Sequence, residues 1–324
     1  MQQRYLWLLL TICSAPSWAK LAEHGGLSGE ISVVAGFSEN KSHVSTSNNP
    51  VLTDLNQSTE SDDSSFVAPL GNLKYTFGRG LNQQVYIGTS RSDVAVGTLA
   101  AEIGYKEAFR NGMEIDVSYL PTIMDGEEWS DPFVTGRKRD KTDVDGNAFR
   151  LRANNILGSI FSIDSAYIQR DIESEHSGEA LGLSPSQRDQ LDRNRSSVYV
   201  KTSARLRLPT QTMVTPSFIY IDSSADGDAM SYESYGGELS VFQFLNRQSL
   251  AITLGYATRD YDQSHPVFSK TRSDDTLKLF LAYEYQIGQQ WSLISLAGYN
   301  STDSNIEYYD QSNYMVSVGA NYKF

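Results

Sequence analysis

The chain has 324 residues, a formal net charge of −12 at pH 7 and a mean hydropathy of −0.39. No apolar run is long enough for a spanning helix, which excludes a helical membrane protein. With 19 Tyr, 13 Phe and 24 Gly against only 9 Pro, the composition suits strands joined by tight turns more than disorder.

The first 19 residues read as a leader. Arg4 precedes the apolar run Tyr5 to Ile12, and Ser17 and Ala19 stand at small-residue spacing before Lys20, the pattern of a secretory signal peptide over residues 1–19. Cys13 lies inside the apolar run behind the bulky Ile12, which does not fit a lipoprotein signal. Cleavage leaves 324 − 19 = 305 residues, residues 20–324, as one domain; loss of Arg4 takes the charge to −13. The only cysteine leaves with the leader, so no disulfide or thiolate chemistry is expected.

The mature chain opens on a strand, with Leu27, Ile31, Val33 and Phe37 on one face, soon enough after the leader to leave no room for an amino-terminal plug. Ser38 to Ser65 reads as a long polar loop. Hairpins follow: Val67 to Phe77 with Gln83 to Ser90, then Thr98 to Ala108 with Met113 to Thr122 through Asn111-Gly112. In the last of these, Met113, Ile115, Val117 and Tyr119 take one face while Glu114, Asp116 and Ser118 take the other, so the second face must be wet. Further strands are expected at Val144–Asn154, Ile160–Arg170, Arg195–Leu208, Met213–Asp222, Tyr232–Phe244, Ser249–Asp260, Asp275–Gln286, Trp291–Asn300 and Ser312–Phe324. Short connections such as Pro209 to Thr212 alternate with long polar ones such as Ile123 to Asp143, Asp171 to Asn194 and Tyr261 to Asp274. The pattern predicts an all-β fold, an antiparallel up-and-down transmembrane barrel of about fourteen strands, twelve or sixteen being the alternatives. Its short turns lie inside the cell envelope and its long loops outside.

Two stretches carry a resemblance. FVAPLGNLKYTFG (Phe66 to Gly78) and QQVYIGTSRSDVAVGTLAAEIGYK (Gln83 to Lys106) resemble the opening hairpins of a family of predicted Gram-negative outer-membrane proteins known only as a domain of unknown function. The resemblance extends along most of the mature chain. It implies the barrel and the outer membrane, and brings no activity or site residues.

The last strand ends on an aromatic. Tyr314, Val316, Val318, Ala320, Tyr322 and Phe324 share one face, so Tyr322 and Phe324 are the candidate signal for the barrel-assembly machinery. Outer-membrane lipid and lipopolysaccharide are the other expected partners; no nucleic-acid partner and no cofactor is expected.

Chemistry-bearing motifs are few. His24, His43, His176 and His265 fall in the amino-terminal segment or predicted loops and read as solvated, with no catalytic spacing around them, so no enzyme is expected. Asp143-Val144-Asp145-Gly146-Asn147 imitates a calcium loop, but its sixth position is Ala148 and its twelfth Asn154, where Gly and Glu are needed, so it reads as a turn and no metal site is expected. Arg137-Lys138-Arg139, with Trp129 and Phe133 upstream, reads as a solvated loop face or as a grip for lipopolysaccharide phosphates. Acidic loops, Asp62-Asp63 among them, could meet lipopolysaccharide through divalent ions.

Alternation assigns an interior. Glu102, Lys106, Glu114, Asp116, Arg150, Arg152, Asp164, Lys201, Arg205, Arg207, Arg259, Lys278 and Glu284 are the pore-lining candidates, with Ile103, Tyr105, Val198 and Val200 turned to lipid. Arg150, Arg152, Lys201, Arg205 and Arg207 would form a basic wall and Glu102, Glu114 and Asp116 an acidic patch; cross-strand pairing is the alternative. The leading expectation is a porin-like channel for small hydrophilic solutes with a modest preference for anions. The runner-up is a structural or surface-interaction barrel closed by a folded-in loop such as Ser38 to Ser65.

Overall fold

The computed structural model describes residues 20–47, 50–57, 59–89, 94, 100–121 and 126–324. The leader over residues 1–19, and Ser90, Thr98, Leu99 and Thr122 of the expected strands, lie outside the described residues. The strands are β1 (Gly26–Ser42), β2 (Ser61–Phe77), β3 (Gln83–Thr89), β4 (Ala101–Ala108), β5 (Glu114–Pro121), β6 (Gly126–Trp129), β7 (Lys141–Asn154) and β8 (Phe161–Ile172). They continue as β9 (Arg195–Ala204), β10 (Leu206–Leu208), β11 (Thr212–Ala225), β12 (Tyr232–Leu245), β13 (Gln248–His265), β14 (Lys270–Gln286), β15 (Trp291–Ser304) and β16 (Gln311–Lys323).

All strand pairings are antiparallel, between strands adjacent or next but one along the chain, and β16 returns to β1 with Tyr322 opposite Ile31, so the sheet closes. β9 and β10 both pair with β11 as one wall position interrupted at Arg205, and β6 pairs only with β7. The wall therefore has fourteen strands. Closure leaves no unpaired edge, the condition for a β-sheet in hydrocarbon. The seam is sealed at its lower end by two backbone bonds of 3.0 Å between Gly29 and Phe324, whose ring lies over the hydrogen side of Gly29.

Alternation sorts the side chains. Ile31, Val67, Ile103, Phe149, Leu254 and Val318 are exposed on the outer face, whereas Ser32, Gln84, Ser240, Thr253, Ser317 and Asn321 are buried on the inner one. An apolar outside around a polar inside is the reverse of a soluble sheet, and it places the outer band in lipid.

Several strands outrun the expectation. β1 and β2 stay paired through Ser38↔Ser64, Glu39↔Asp63, Asn40↔Asp62 and Lys41↔Ser61, so the polar loop shrinks to residues 43–60. β13 runs on to His265 and β14 starts at Lys270, leaving a four-residue connection, 266–269, where a long loop was expected. Asp143 to Asn147 lies inside β7, so it is strand and not a turn. The cause is common to all three: above the lipid band both faces of a strand meet water, so hydrophobic alternation stops while the backbone ladder continues.

Candidate functional site: the barrel interior and its roof

The interior candidates are gathered by register into one belt. Asp116 on β5 stands opposite Lys106 on β4 and Arg152 on β7, and Arg152 stands opposite Asp164 on β8. The Arg152 guanidinium donates to Glu102 at 2.7 Å, Asp116 at 2.8 Å and the Tyr86 hydroxyl at 3.0 Å. Tyr86 in turn donates to Asp116 at 2.5 Å; it reaches there by lying across Gly104, where a Cβ would stand 2.5 Å from its oxygen. Arg150 donates through Nε to Asp164 at 2.8 Å and lies 3.6 Å from Glu102, which also accepts from Ser118 at 2.8 Å. Lys106 completes the group 3.3 Å from Asp116. Farther round, Lys201 donates to Glu238, and Lys278 lies 3.5 Å from the same carboxylate.

The basic wall and the acidic patch are therefore interleaved. β5 and β7 are direct neighbours because β6 stands off the barrel path, which brings carboxylates and guanidinia onto facing rungs. Glu102 and Asp116 are 2% and 1% exposed, so each must be neutralised by a partner. Glu284 accepts from Ser292 at 2.7 Å and from Lys323 at 2.8 Å. Arg259 packs over the Tyr232 ring and lies 3.7 Å from Asp274, a carboxylate that Arg272 holds at 2.7 Å. Glu114 is half-buried at the turn end opposite Asn154; Arg207 is exposed on β10. Glu238, Asp274, Arg272 and Lys323 escaped sequence reasoning as charged partners, although alternation along their strands places each on the inward face.

Two adjoining cavities occupy the interior. The larger, about 740 Å³, is lined by Arg150, Asp164, Lys201, Arg205 and Glu238, but also by Ile168, Met213, Phe242 and Phe244. The smaller, about 160 Å³, shares Phe242 and Phe244 and adds Leu70, Val94, Ala282, Ile294 and Leu296. Among the described residues no group of three or more His, Cys, Asp or Glu is arranged to hold a metal ion.

Above the lipid band the connections converge on a second core. Leu52, Phe133, Leu191, Met230 and Tyr308 are buried together, and Phe268 packs against them. These six residues belong to six different connections: β1–β2, β6–β7, β8–β9, β11–β12, β13–β14 and β15–β16. Phe133 is the hub, with ring centroids 5.4 Å from His265, 5.6 Å from Tyr308 and 6.1 Å from Phe268. A short helix, α1 (Pro185–Asp189), started by reciprocal bonds between Ser184 and Gln187, turns the chain so that Leu191 enters the cluster.

Polar bonds tie the loops to one another. Tyr308 donates to the Pro132 carbonyl at 2.6 Å, Trp129 to that of Ser45 at 3.0 Å, and Arg139 to that of His43 at 2.8 Å. Asp131 accepts from the backbone of Gly178 at 3.0 Å and of Ala180 at 2.9 Å.

Three loop readings change here. Arg139 is 1% exposed and stacks on Trp129 at 4.2 Å, so it is a strut of the roof and presents no charge to lipopolysaccharide; Arg137 and Lys138 remain exposed. His43 and His265, read as solvated, are 2% and 0% exposed, while His24 and His176 are exposed as expected. His265 lies nine residues beyond Tyr256, the last exposed aromatic of the β13 lipid face, and so above the membrane. It accepts at Nδ1 from the Val267 amide at 3.2 Å, which leaves Nε2–H for the Tyr309 hydroxyl at 2.8 Å. Burial, reinforced by Arg272, pushes its pKa down to about 3. Burial also lowers that of His43 and raises those of the Tyr308 and Tyr309 phenols.

A closed antiparallel barrel with an even strand number, an apolar girdle and a hydrogen-bonded polar interior defines the class: an outer-membrane-type β-barrel. Within that class, the chain belongs to the family described as protein of unknown function (DUF2860), whose profile matches residues 26–323. No curated protein matches it. Solved structures similar in fold include the outer-membrane-expressed OmpT of Vibrio cholerae, at 6% identity and a TM-score of 0.44 over 94% of this chain and 100% of that one. The outer membrane channel DcaP of Acinetobacter baumannii is another, at 11% identity and a TM-score of 0.43 over 94% and 100%. OpdQ of Pseudomonas aeruginosa matches at 9% identity and a TM-score of 0.34 over 92% and 98%. Likenesses of this degree decide nothing about activity.

Proposed function

We propose that this protein is an outer-membrane surface barrel whose outer mouth is shut at rest by a packed roof of its own loops. The observation that carries the reading is the single apolar cluster to which six connections around the rim contribute, from Leu52 to Tyr308. Loops that merely fringed an open mouth would not share buried side chains across it. The roof is then the face offered to the surroundings. Lipid and lipopolysaccharide cover the outer band. The outward Tyr322 and Phe324 at the seam serve as the mark that the assembly machinery reads.

A second reading is a passage for small hydrophilic solutes, with a modest preference for anions. It is favoured by the cavity of about 740 Å³ and its charged lining. In this reading the roof is the gate and conduction follows its displacement.

Planar-bilayer recording of the folded protein separates the readings. The native protein is expected to show no steady open level. A variant with Leu52→Asp and Phe133→Asp places two carboxylates in the roof core, where removing the Phe133 ring alone costs about 3–5 kcal/mol. That variant is expected to conduct at least tenfold more. Steady conductance by the native protein would overturn the closed-barrel proposal and leave the channel.

A further inference from the structure

Register exposes an arrangement that no single strand shows. One rung of the ladder turns only apolar side chains inward across five consecutive strands: Met213 on β11, Phe242 on β12, Ala251 on β13, Ala282 on β14 and Leu296 on β15. These residues line the two adjoining cavities, which meet at Phe242 and Phe244. From the far side the β3–β4 connection contributes Val94 to the smaller one. A lumen serving only water and hydrophilic solutes gains nothing from a continuous apolar strip, since such a surface is merely poorly hydrated there.

The larger cavity supplies the other half of a site. Most of its charges are consumed by one another, Arg150 by Asp164 and Lys201 by Glu238. Arg205 is different. It lies one rung above the apolar strip, between the register pairs Ser203↔Ser217 and Leu206↔Val214, where the wall strand is interrupted between β9 and β10. Its backbone amide donates to Ile160 at 2.8 Å, while among the described residues its guanidinium has no ion pair or side-chain hydrogen bond. Thr215, the inward residue facing it across the ladder, has a buried hydroxyl with no hydrogen-bond partner. An uncommitted cation beside an apolar floor, inside a cavity of about 740 Å³, is the arrangement that holds an organic anion by both ends.

We propose that the lumen contains a binding site for a small amphipathic carboxylate, its apolar body on the Met213–Phe242–Leu296 strip and its carboxylate on Arg205. The site stands apart from the roof: it requires only that the ligand reach the lumen.

The test uses the full mature barrel in lipid nanodiscs, with empty nanodiscs as the blank for partition into lipid. Three probes are titrated by calorimetry: phenylacetate, which has both parts, 2-phenylethanol, which lacks the charge, and acetate, which lacks the apolar body. Phenylacetate is expected to bind at least tenfold more tightly than either of the others. Arg205→Ser should weaken phenylacetate at least tenfold and leave 2-phenylethanol unchanged, while Arg205→Lys keeps part of the difference. Phe242→Ser should weaken phenylacetate and 2-phenylethanol together. Each variant is first shown to be folded by its heat-modifiable gel mobility. The proposal is overturned if folded native barrel does not bind phenylacetate, if acetate binds as well as phenylacetate, or if folded Arg205→Ser binds phenylacetate as the native protein does.

Discussion

Replacing Arg152 by Met tests the charged belt most directly, because the two side chains are close in length and only the guanidinium is lost. Arg152 bridges the two buried carboxylates of the belt, Glu102 at 2.7 Å and Asp116 at 2.8 Å. Without it Asp116 keeps Lys106 at 3.3 Å and the Tyr86 hydroxyl, and Glu102 keeps Arg150 at 3.6 Å and the Ser118 hydroxyl. Breaking a buried ion pair from one side costs about 3–5 kcal/mol, because the remaining charge has neither water nor a partner. Here weaker partners remain, so the lower end applies: about 3 kcal/mol, or roughly a hundredfold in the folding equilibrium. Urea unfolding in lipid vesicles, read by gel mobility, measures it. Adding Glu102→Gln and Asp116→Asn to Arg152→Met removes the stranded charges and should recover most of the loss. A single variant that unfolds within about 1 kcal/mol of the native protein, or a triple variant no better than the single, would show that water in the lumen screens these groups and that the belt is not a dry network.

Acid should loosen the roof. Above pH 6.5 neither the packed nor the opened roof carries a proton on His265. Between pH 6.5 and about 3 the opened roof takes up a proton that the packed one refuses, so closure weakens by about 1.4 kcal/mol per unit of pH. Bilayer conductance should rise as pH falls through that window, His43 acting in the same direction, and His265→Phe should flatten the response; a pH-independent native trace would refute it. Gly104→Ala should cost about 1–3 kcal/mol in the same urea assay, by pushing Tyr86 off Asp116, and Tyr86→Phe should cost less, because it creates no clash. Deleting Phe324 removes both backbone bonds to Gly29 and the ring beside it, and should lower the amount of barrel recovered in the membrane several-fold; unchanged recovery would separate the terminus from assembly.

How much of this was legible follows from what each feature depends on. The wall depends on local alternation, so strands such as Met113 to Tyr119 can be read from a few residues, and the total of fourteen with them. The upper ends of β1, β2, β13 and β14 could not be read, because beyond the lipid a strand needs only its backbone partners. The roof was hidden for a different reason. Its apolar members, Leu52, Phe133, Leu191 and Tyr308, stand singly among polar neighbours, and only their convergence from separate loops makes a core. The burial of His43 and His265 goes with it, since loop position implies exposure only when loops do not pack. The belt and the apolar strip depend on register. Met213, Phe242, Ala251, Ala282 and Leu296 are ordinary residues until pairing sets them side by side, though Phe242 and Phe244 on the same face as Glu238 and Ser240 were a signal within one strand.

The two ends of the barrel are held by different physics, and this decides where movement is allowed. The wall is a closed ladder in which each of the fourteen strand positions is hydrogen-bonded on both sides, and its opening would expose a row of backbone groups to hydrocarbon. The roof lies beyond that constraint. It is tied across loops by a few side-chain bonds, Arg139 to His43, Tyr308 to Pro132 and Trp129 to Ser45, together with the Phe133 cluster. Such a unit can open locally at a small fraction of the cost of unfolding the ladder. On the closed-barrel proposal, access from outside to the cavities and to Arg205 is set by the roof. Substitutions there should change access while the urea stability of the barrel stays fixed, whereas substitutions in the belt should do the reverse.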